Sequence, residues 1–95
     1  MYIRIVRAQV EPGQEDELAR RWQTFWSSRM PNIPGFRHAH FATDRGTNAT
    51  VAVTLWDRRP EATTMEPLVQ EFRAQVADIS GSWPVIEEYE VLADF

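Results

Sequence analysis

The segment FRHAHFATDRGTNATVAVTLW, residues 36–56, decides the fold that we predict for this chain. It contains two strand-like runs, Phe36 to Ala42 and Thr50 to Trp56, joined by a loop that includes Gly46. Alternation of side chains with a period of two predicts β-strands, and a short Gly-containing loop between two of them predicts a hairpin. We assign to one face of the first strand Phe36, His38 and His40. In the second strand we assign to one face Val51, Val53 and Leu55, and to the other Thr50, Ala52, Thr54 and Trp56.

An apolar stripe identifies the first helix, which we place from about Gln14 to Met30. Its large side chains recur at the spacing of one buried helix face. A second stripe follows Glu66 and Pro67, where we expect the main second helix to start or kink, because proline fits a first turn and breaks a helix interior. Gly81 closes that helix. The stripes consist of Leu18, Trp22, Phe25, Trp26 and Met30 in the first helix and of Leu68, Phe72, Val76 and Ile79 in the second.

Two further strands, Tyr2 to Val10 and Val85 to Ala93, complete the order strand, helix, strand, strand, helix, strand. This split βαβ order predicts an α+β, ferredoxin-like βαββαβ fold with an antiparallel four-stranded sheet and both helices on one face. A length of 95 residues predicts a single domain, residues 1–95. The strands carry apolar residues on both faces, and no element remains to cover the second face. We therefore expect a homodimer that packs sheet against sheet.

Composition and charge argue against several classes of function. The net charge of -4 disfavours nucleic-acid binding, which needs a basic face. The chain has no Cys, so disulfides, thiolate metal sites and cysteine nucleophiles are excluded. No stretch approaches the length that spans a bilayer, and the N-terminus lacks an apolar signal region. We therefore expect a cytoplasmic protein whose partners include neither a nucleic acid nor a membrane.

Three short motifs carry a family resemblance: PGF at residues 34–36, VAVTLW at residues 51–56 and DRRPEA at residues 57–62. Together with the element order, they resemble the antibiotic biosynthesis monooxygenase (ABM) family of dimeric α/β barrels. The resemblance implies a homodimer in which each protomer holds a pocket between its sheet and its helices. It also implies a cofactor-independent monooxygenase that acts on a small aromatic or polyketide-type substrate, without flavin, haem or metal.

Two positions depart from individual branches of that family. The haem-degrading branch binds iron through a His on its second helix, and this chain has Gln75 at that place. The polyketide-oxygenase branch often carries an Asn four residues before the Trp of the third strand, where this chain has Ala52. Two alternatives therefore stay open, an isomerase of small metabolites and a non-catalytic dimer that binds a small ligand.

The candidate catalytic residues are His38, His40 and Arg73. Either histidine could act as a general base on the substrate, and the alternative is a pair of partly exposed strand residues at the dimer seam. Arg73 could stabilise an enolate or peroxide anion, and the alternative is a solvated, ion-paired arginine. As walls of a pocket for a planar substrate we assign Trp22, Trp26, Trp56 and Phe72, whose alternative role is core packing.

Overall fold

A computed structural model describes all residues, 1–95, and has the predicted order of strands and helices. Four strands form one antiparallel sheet in the order β2-β3-β1-β4, with both helices on the same face. The ferredoxin-like βαββαβ prediction is therefore confirmed. The strands are β1 (Tyr2–Gln9), β2 (Phe36–Asp44), β3 (Ala49–Trp56) and β4 (Val85–Glu90), and the helices are α1 (Glu15–Trp26) and α2 (Ala62–Gln75).

The helices differ from the predicted ones at their ends. Helix α1 ends at Trp26, and Met30 belongs to a separate 3₁₀ turn, Met30–Asn32, that contains a proline. Helix α2 begins four residues before Glu66, because the amides of Thr64 and Met65 already donate to the carbonyl of Glu61, each at 3.0 Å. Pro67 thus lies inside the helix rather than at its start. Neither helix is long and apolar enough to cross a membrane.

The pairing of β2 with β3 contains a bulge that reverses one of our face assignments. Phe36 pairs with Trp56, but the next pair joins His38 to Leu55, so Arg37 is an extra residue on β2. An extra residue shifts the alternation of side chains by one position. Phe36 therefore lies on the face opposite to His38 and His40, and our prediction that the three share a face was wrong.

Each face of the sheet has a distinct set of side chains. On the inner face, which packs against the helices, β3 contributes four buried side chains: Thr50, Ala52, Thr54 and Trp56. The indole of Trp56 is 0% exposed and donates to Thr54 Oγ1 at 2.8 Å. On the outer face, the central strands contribute an apolar stripe of Ile3, Ile5, Val51, Val53 and Leu55. No helix of the chain covers this stripe, and its packing against a second copy stays a prediction.

Arg21 connects α1 to the turn that follows α2. Its guanidinium binds Glu17 one turn earlier on α1 and Asp78 in the turn after α2, each at 2.7 Å. Arg20 also binds Glu17, at 2.6 Å. These two guanidinium groups, Arg20 first, lower the pKa of the Glu17 carboxyl from 4.5 to about 2.

The depressed pKa of Glu17 predicts an acid-sensitive contribution to stability. Because the folded state has the lower pKa, the unfolded state takes up the proton first as the pH falls from about 4.5 to about 2. We expect Glu17→Gln to melt at a lower temperature than the wild type at pH 7, by at most about 5 °C, because the ion pairs are exposed. The difference should vanish near pH 2. Thermal melts from pH 7 to pH 2 measure it, with Glu66→Gln as a control at an exposed glutamate outside the ion pairs.

Candidate ligand-binding cavity

An internal cavity of about 110 Å³ lies between the inner face of the sheet and the two helices. It exists because side chains of very different size face each other there. The sheet contributes small residues to the lining of the cavity, among them Ala8 on β1 and Ala52 on β3. The helices contribute large rings, Trp22 and Trp26 from α1 and Phe72 from α2. We call this space the inner cavity.

Aromatic rings form much of the wall. The ring of Trp22 contacts that of Phe41 on β2, with centroids 5.4 Å apart. The rings of Trp26 and Phe72 connect α1 to α2, with centroids 6.0 Å apart. The ring of Phe25 packs against that of Phe72, with centroids 5.3 Å apart. Such tilted ring contacts hold flat surfaces in fixed positions. The wall of the cavity is therefore largely flat and apolar.

Most polar groups at the inner cavity already have partners. The hydroxyl of Thr50 donates to the carbonyl of Ala8 at 3.2 Å, and that of Thr54 accepts the indole proton of Trp56. Arg4 is mostly buried and lies 3.6 Å from the carboxylate of Glu88 on β4. Burial lowers the pKa of the Arg4 guanidinium, and the nearby Glu88 carboxylate opposes that effect. The charge of Arg4 is thus balanced within the protein.

Arg73 is the exception among these polar groups. Eight arginines lie within 4.0 Å of a carboxylate, and only Arg58 and Arg73 do not. The Nε of Arg73 is buried and has no hydrogen-bond partner. Its guanidinium carbon lies 4.4 Å from the centroid of the Trp83 ring. A buried donor without a partner is costly, so Arg73 carries an unused hydrogen-bond donor at the cavity wall.

The structure brings together four of the seven residues that the sequence indicated. Trp22, Trp26, Phe72 and Arg73 all line the inner cavity. Trp56 does not line it and is instead packed in the core next to it. A ring that is fully enclosed by protein is positioned to support the cavity rather than to touch a ligand.

The two histidines lie on the outer face, away from the inner cavity. Their rings are exposed and in edge-to-face contact, with centroids 4.4 Å apart. No third His or acidic side chain joins them in a group that could hold a metal ion. His40 also lines a groove between α1 and β2, where it shares the surface with Trp22 and Trp26. Any catalytic role of the pair stays a prediction.

The sequence pattern of the family described as antibiotic biosynthesis monooxygenase matches residues 1–64, which is more than half of the chain. The chain belongs to the antibiotic biosynthesis monooxygenase family. The match covers β1 to the start of α2 and includes all three motifs that carry the resemblance. Among curated proteins, none matches this ABM family member in sequence.

Solved structures with the same fold include several ABM proteins. A monooxygenase of Streptomyces coelicolor from the gene ActVA-Orf6, solved with the ligand nanaomycin D, is 16% identical, with a TM-score of 0.79 over 99% of this chain and 89% of that one. A candidate antibiotic biosynthesis monooxygenase of Bordetella bronchiseptica is 14% identical, with a TM-score of 0.75 over 97% of each chain. Another, from Nitrosomonas europaea, is 15% identical, with a TM-score of 0.74 over 96% of this chain and 89% of that one. At these identities the likeness concerns the fold.

The sequence did not identify Arg4, Met65, Val69 or Ile86 as cavity residues, although all four line it. For Arg4 a signal was available, because it alternates with Val6 and Ala8 and so shares their inner face. Met65 was not predicted to line the cavity, because we expected the main second helix to start or kink at Glu66, and Met65 precedes that residue. The others depend on how far each element reaches over the sheet, which strand and helix periodicity does not specify.

We expect Arg73→Met to leave stability nearly unchanged, although the side chain is largely buried. The variant removes an unpaired buried donor, which favours folding, and loses a contact with an exposed indole, which opposes it. The net change in the free energy of unfolding should stay within about 1 kcal/mol in either direction. Urea unfolding measures it. The matched control is Arg21→Met, which breaks two ion pairs and should lower the urea midpoint; a larger loss for Arg73→Met would contradict a free cavity arginine.

Proposed function

We propose that this ABM family member is a monooxygenase that oxidises a small aromatic, polyketide-type substrate in the inner cavity, without flavin, haem or metal. The observation that supports it best is the unpaired guanidinium of Arg73 in the wall of an aromatic cavity. Membership of the family supports monooxygenase chemistry in general terms. The structure solved with nanaomycin D supports the binding of a small organic molecule by this fold.

The proposed reaction requires a substrate that is itself the reductant. A methylene or ring C–H group, made acidic by a neighbouring hydroxyl or carbonyl group, loses a proton, and the resulting anion reduces dioxygen directly. At a methylene, one oxygen atom of dioxygen becomes the carbonyl oxygen of the product, and the other leaves as water with the two methylene hydrogens. At a ring C–H group of a phenol, the water takes the ring hydrogen and the hydroxyl hydrogen, and the product is a quinone. The protein orients the anion, excludes water and stabilises negative charge. Arg73 fills the last of these roles.

The volume of the inner cavity favours a small substrate. At about 110 Å³ the cavity is well below the roughly 300–1,000 Å³ of pockets that hold drug-sized ligands. A single aromatic ring matches this space better than a fused polycyclic system does. The same comparison disfavours a flavin or a haem in this cavity.

The proposed reaction needs a base that lies outside the lining of the inner cavity. The residues that line the inner cavity include no His and no carboxylate. We therefore keep His38 and His40 as the proposed bases. Because both lie on the outer face, the proton passes to them through water rather than by direct contact, and His40 lines a groove that it shares with Trp22 and Trp26. A guanidinium next to the substrate hydroxyl also lowers its pKa, so that a weak base suffices.

Oxygen uptake tests this function. The assay uses an oxygen electrode with 1,3,5-trihydroxybenzene, 1-naphthol and anthrone, which differ in size. We expect the wild type to consume oxygen with the smaller substrates. Ala52→Leu should lower the rate at least about tenfold, because added carbon atoms occupy the space for the ring. Ala74→Leu makes the same substitution at an exposed position of α2 outside the cavity, and as the matched control it should retain activity.

The histidine variants separate the proposed base from the proposed cavity. A normal rate in the double variant His38→Ala, His40→Ala would remove both residues from the mechanism and leave the cavity proposal in place. Turnover of a substrate without oxygen consumption would instead select an isomerase.

A second candidate function is non-catalytic binding of a small ligand. It is favoured by the lack of a proton-transferring side chain among the residues that line the inner cavity. Thermal stabilisation of the protein by these aromatic compounds, without oxygen uptake or turnover, is the result that selects it.

We also propose that the protein acts as a homodimer through the outer face of its sheet. The apolar stripe of the two central strands is flanked by a charged pair, Arg7 and Glu87, at 2.6 Å. A face with one cation and one anion beside an apolar centre can pack on a copy of itself with opposite charges facing each other. Tyr89 and Val85, which are 50% and 58% exposed, extend this apolar area onto β4.

A charge placed in the stripe should prevent that dimer. We expect Val53→Glu to sediment as a monomer at micromolar concentration, because a carboxylate buried between apolar sheets loses its hydration without gaining a partner. Analytical ultracentrifugation measures the assembly. Thr63→Glu adds the same charge to an exposed position of α2 and should leave the dimer intact. A monomeric wild type would contradict the proposal.

A further inference from the structure

Trp83 has an unusual environment for so large an apolar side chain. It lies in the short segment between the turn after α2 and the start of β4, and it is 75% exposed. The only ring contact that it forms with a charged group is with the guanidinium of Arg73, whose carbon lies 4.4 Å from the ring centroid. The face of an indole carries negative potential and attracts a cation placed over it. One side of Trp83 is thus in contact with the one cavity arginine that lacks a carboxylate.

The backbone around Trp83 is fixed to the sheet. The amide of Gly81 donates to the carbonyl of Gln9 at 2.8 Å, and the amide of Gln9 donates to the hydroxyl of Ser82 at 3.0 Å. The hydroxyl of Ser80 donates to the carbonyl of Ser82, also at 3.0 Å. A Cβ atom on Gly81 would lie 3.3 Å from the Gln9 carbonyl oxygen, which explains the small residue at this close approach. The exposed indole is therefore carried by an anchored segment.

Arg73 itself has no comparable anchor. Its side chain has several rotatable bonds, forms no ion pair, and has a buried Nε without a partner. An unrestrained guanidinium would turn toward solvent, where it is hydrated. The ring of Trp83, whose centroid lies 4.4 Å from the guanidinium carbon, provides the attraction that opposes this turn.

We infer that Trp83 is a positioning residue that keeps Arg73 directed at the inner cavity and thereby makes the cavity select small aromatic anions over their neutral analogues. The ligand class is a single aromatic ring that carries a carboxylate or phenolate oxygen. Such an oxygen accepts a charge-assisted hydrogen bond from the guanidinium, while the ring occupies the space between Trp22, Trp26 and Phe72. This inference rests on the proposed function, since it assumes that the inner cavity is the binding site.

Calorimetric titration with benzoate and with benzamide tests it, because the two probes share size and shape and differ in charge. We expect the wild type to bind benzoate at least about tenfold more tightly, and Arg73→Met to lose that preference. Trp83→Leu keeps apolar bulk but has no ring, and should reduce the preference about fivefold or more. Trp83→Phe keeps a ring face and should retain most of it. Phe95→Ala, at another exposed aromatic residue, is the control and should change nothing.

The outcomes separate this inference from the function on which it rests. Equal binding of the two probes by the wild type, or no binding of either, overturns the anion site in the cavity and this inference with it. A benzoate preference that is lost in Arg73→Met but unchanged in Trp83→Leu overturns the role of Trp83 alone. A preference lost in both leucine and phenylalanine variants also overturns it, because stacking on a ring face is then not what matters. Thermal melts of each variant establish that the fold is intact.

Discussion

The antiparallel pairing of β1 with β3 is the constraint on which the rest of this structure depends. Eight consecutive residue pairs, from Tyr2 with Trp56 to Gln9 with Ala49, fix which side chains face the helices. Because side chains alternate with a period of two, a slip of one residue would exchange the two faces completely. The slip would turn Arg4 away from the cavity and bring the apolar stripe of the outer face under the helices. The inner cavity and the uncovered apolar face are thus two results of one register.

The inner cavity lowers the stability of the protein. A cavity in the core costs free energy, since the atoms around it lose contacts, and a buried donor without a partner adds to that cost. Larger side chains at Ala8 and Ala52 would remove the cavity, and an apolar residue at Arg73 would remove the donor. The chain instead keeps the small residues beneath aromatic side chains and leaves the guanidinium free. Under the proposed function these costs are retained for a ligand, as they are at other binding sites.

The sequence predicted the layout of the fold well because strong periodic signals carry it. The valines and aromatic residues of β3, and the stripe of α1 through Leu18 and Trp26, specify their elements independently of tertiary contacts. The failures occurred where a single residue breaks a period. Arg37 is the extra residue of a bulge, which no composition rule locates, and Pro67 suggested a helix start four residues too late because hydrogen bonds to Glu61 begin the helix earlier.

Only part of the candidate site could be predicted from the sequence, for a related reason. The helix stripe predicted that Trp22, Trp26 and Phe72 face the sheet, but whether a cavity lies beneath them depends on the size of the residues on the opposite layer. That requires the register between β1 and β3, which places Ala8 opposite Thr50 and Val6 opposite Ala52. Which cavity arginine lacks a carboxylate partner was harder still to predict, because Arg4 and Arg73 are the same residue type in the same cavity. What distinguishes them is Glu88, a residue of the last strand that lies next to Arg4 in space and leaves Arg73 as the unpaired cation.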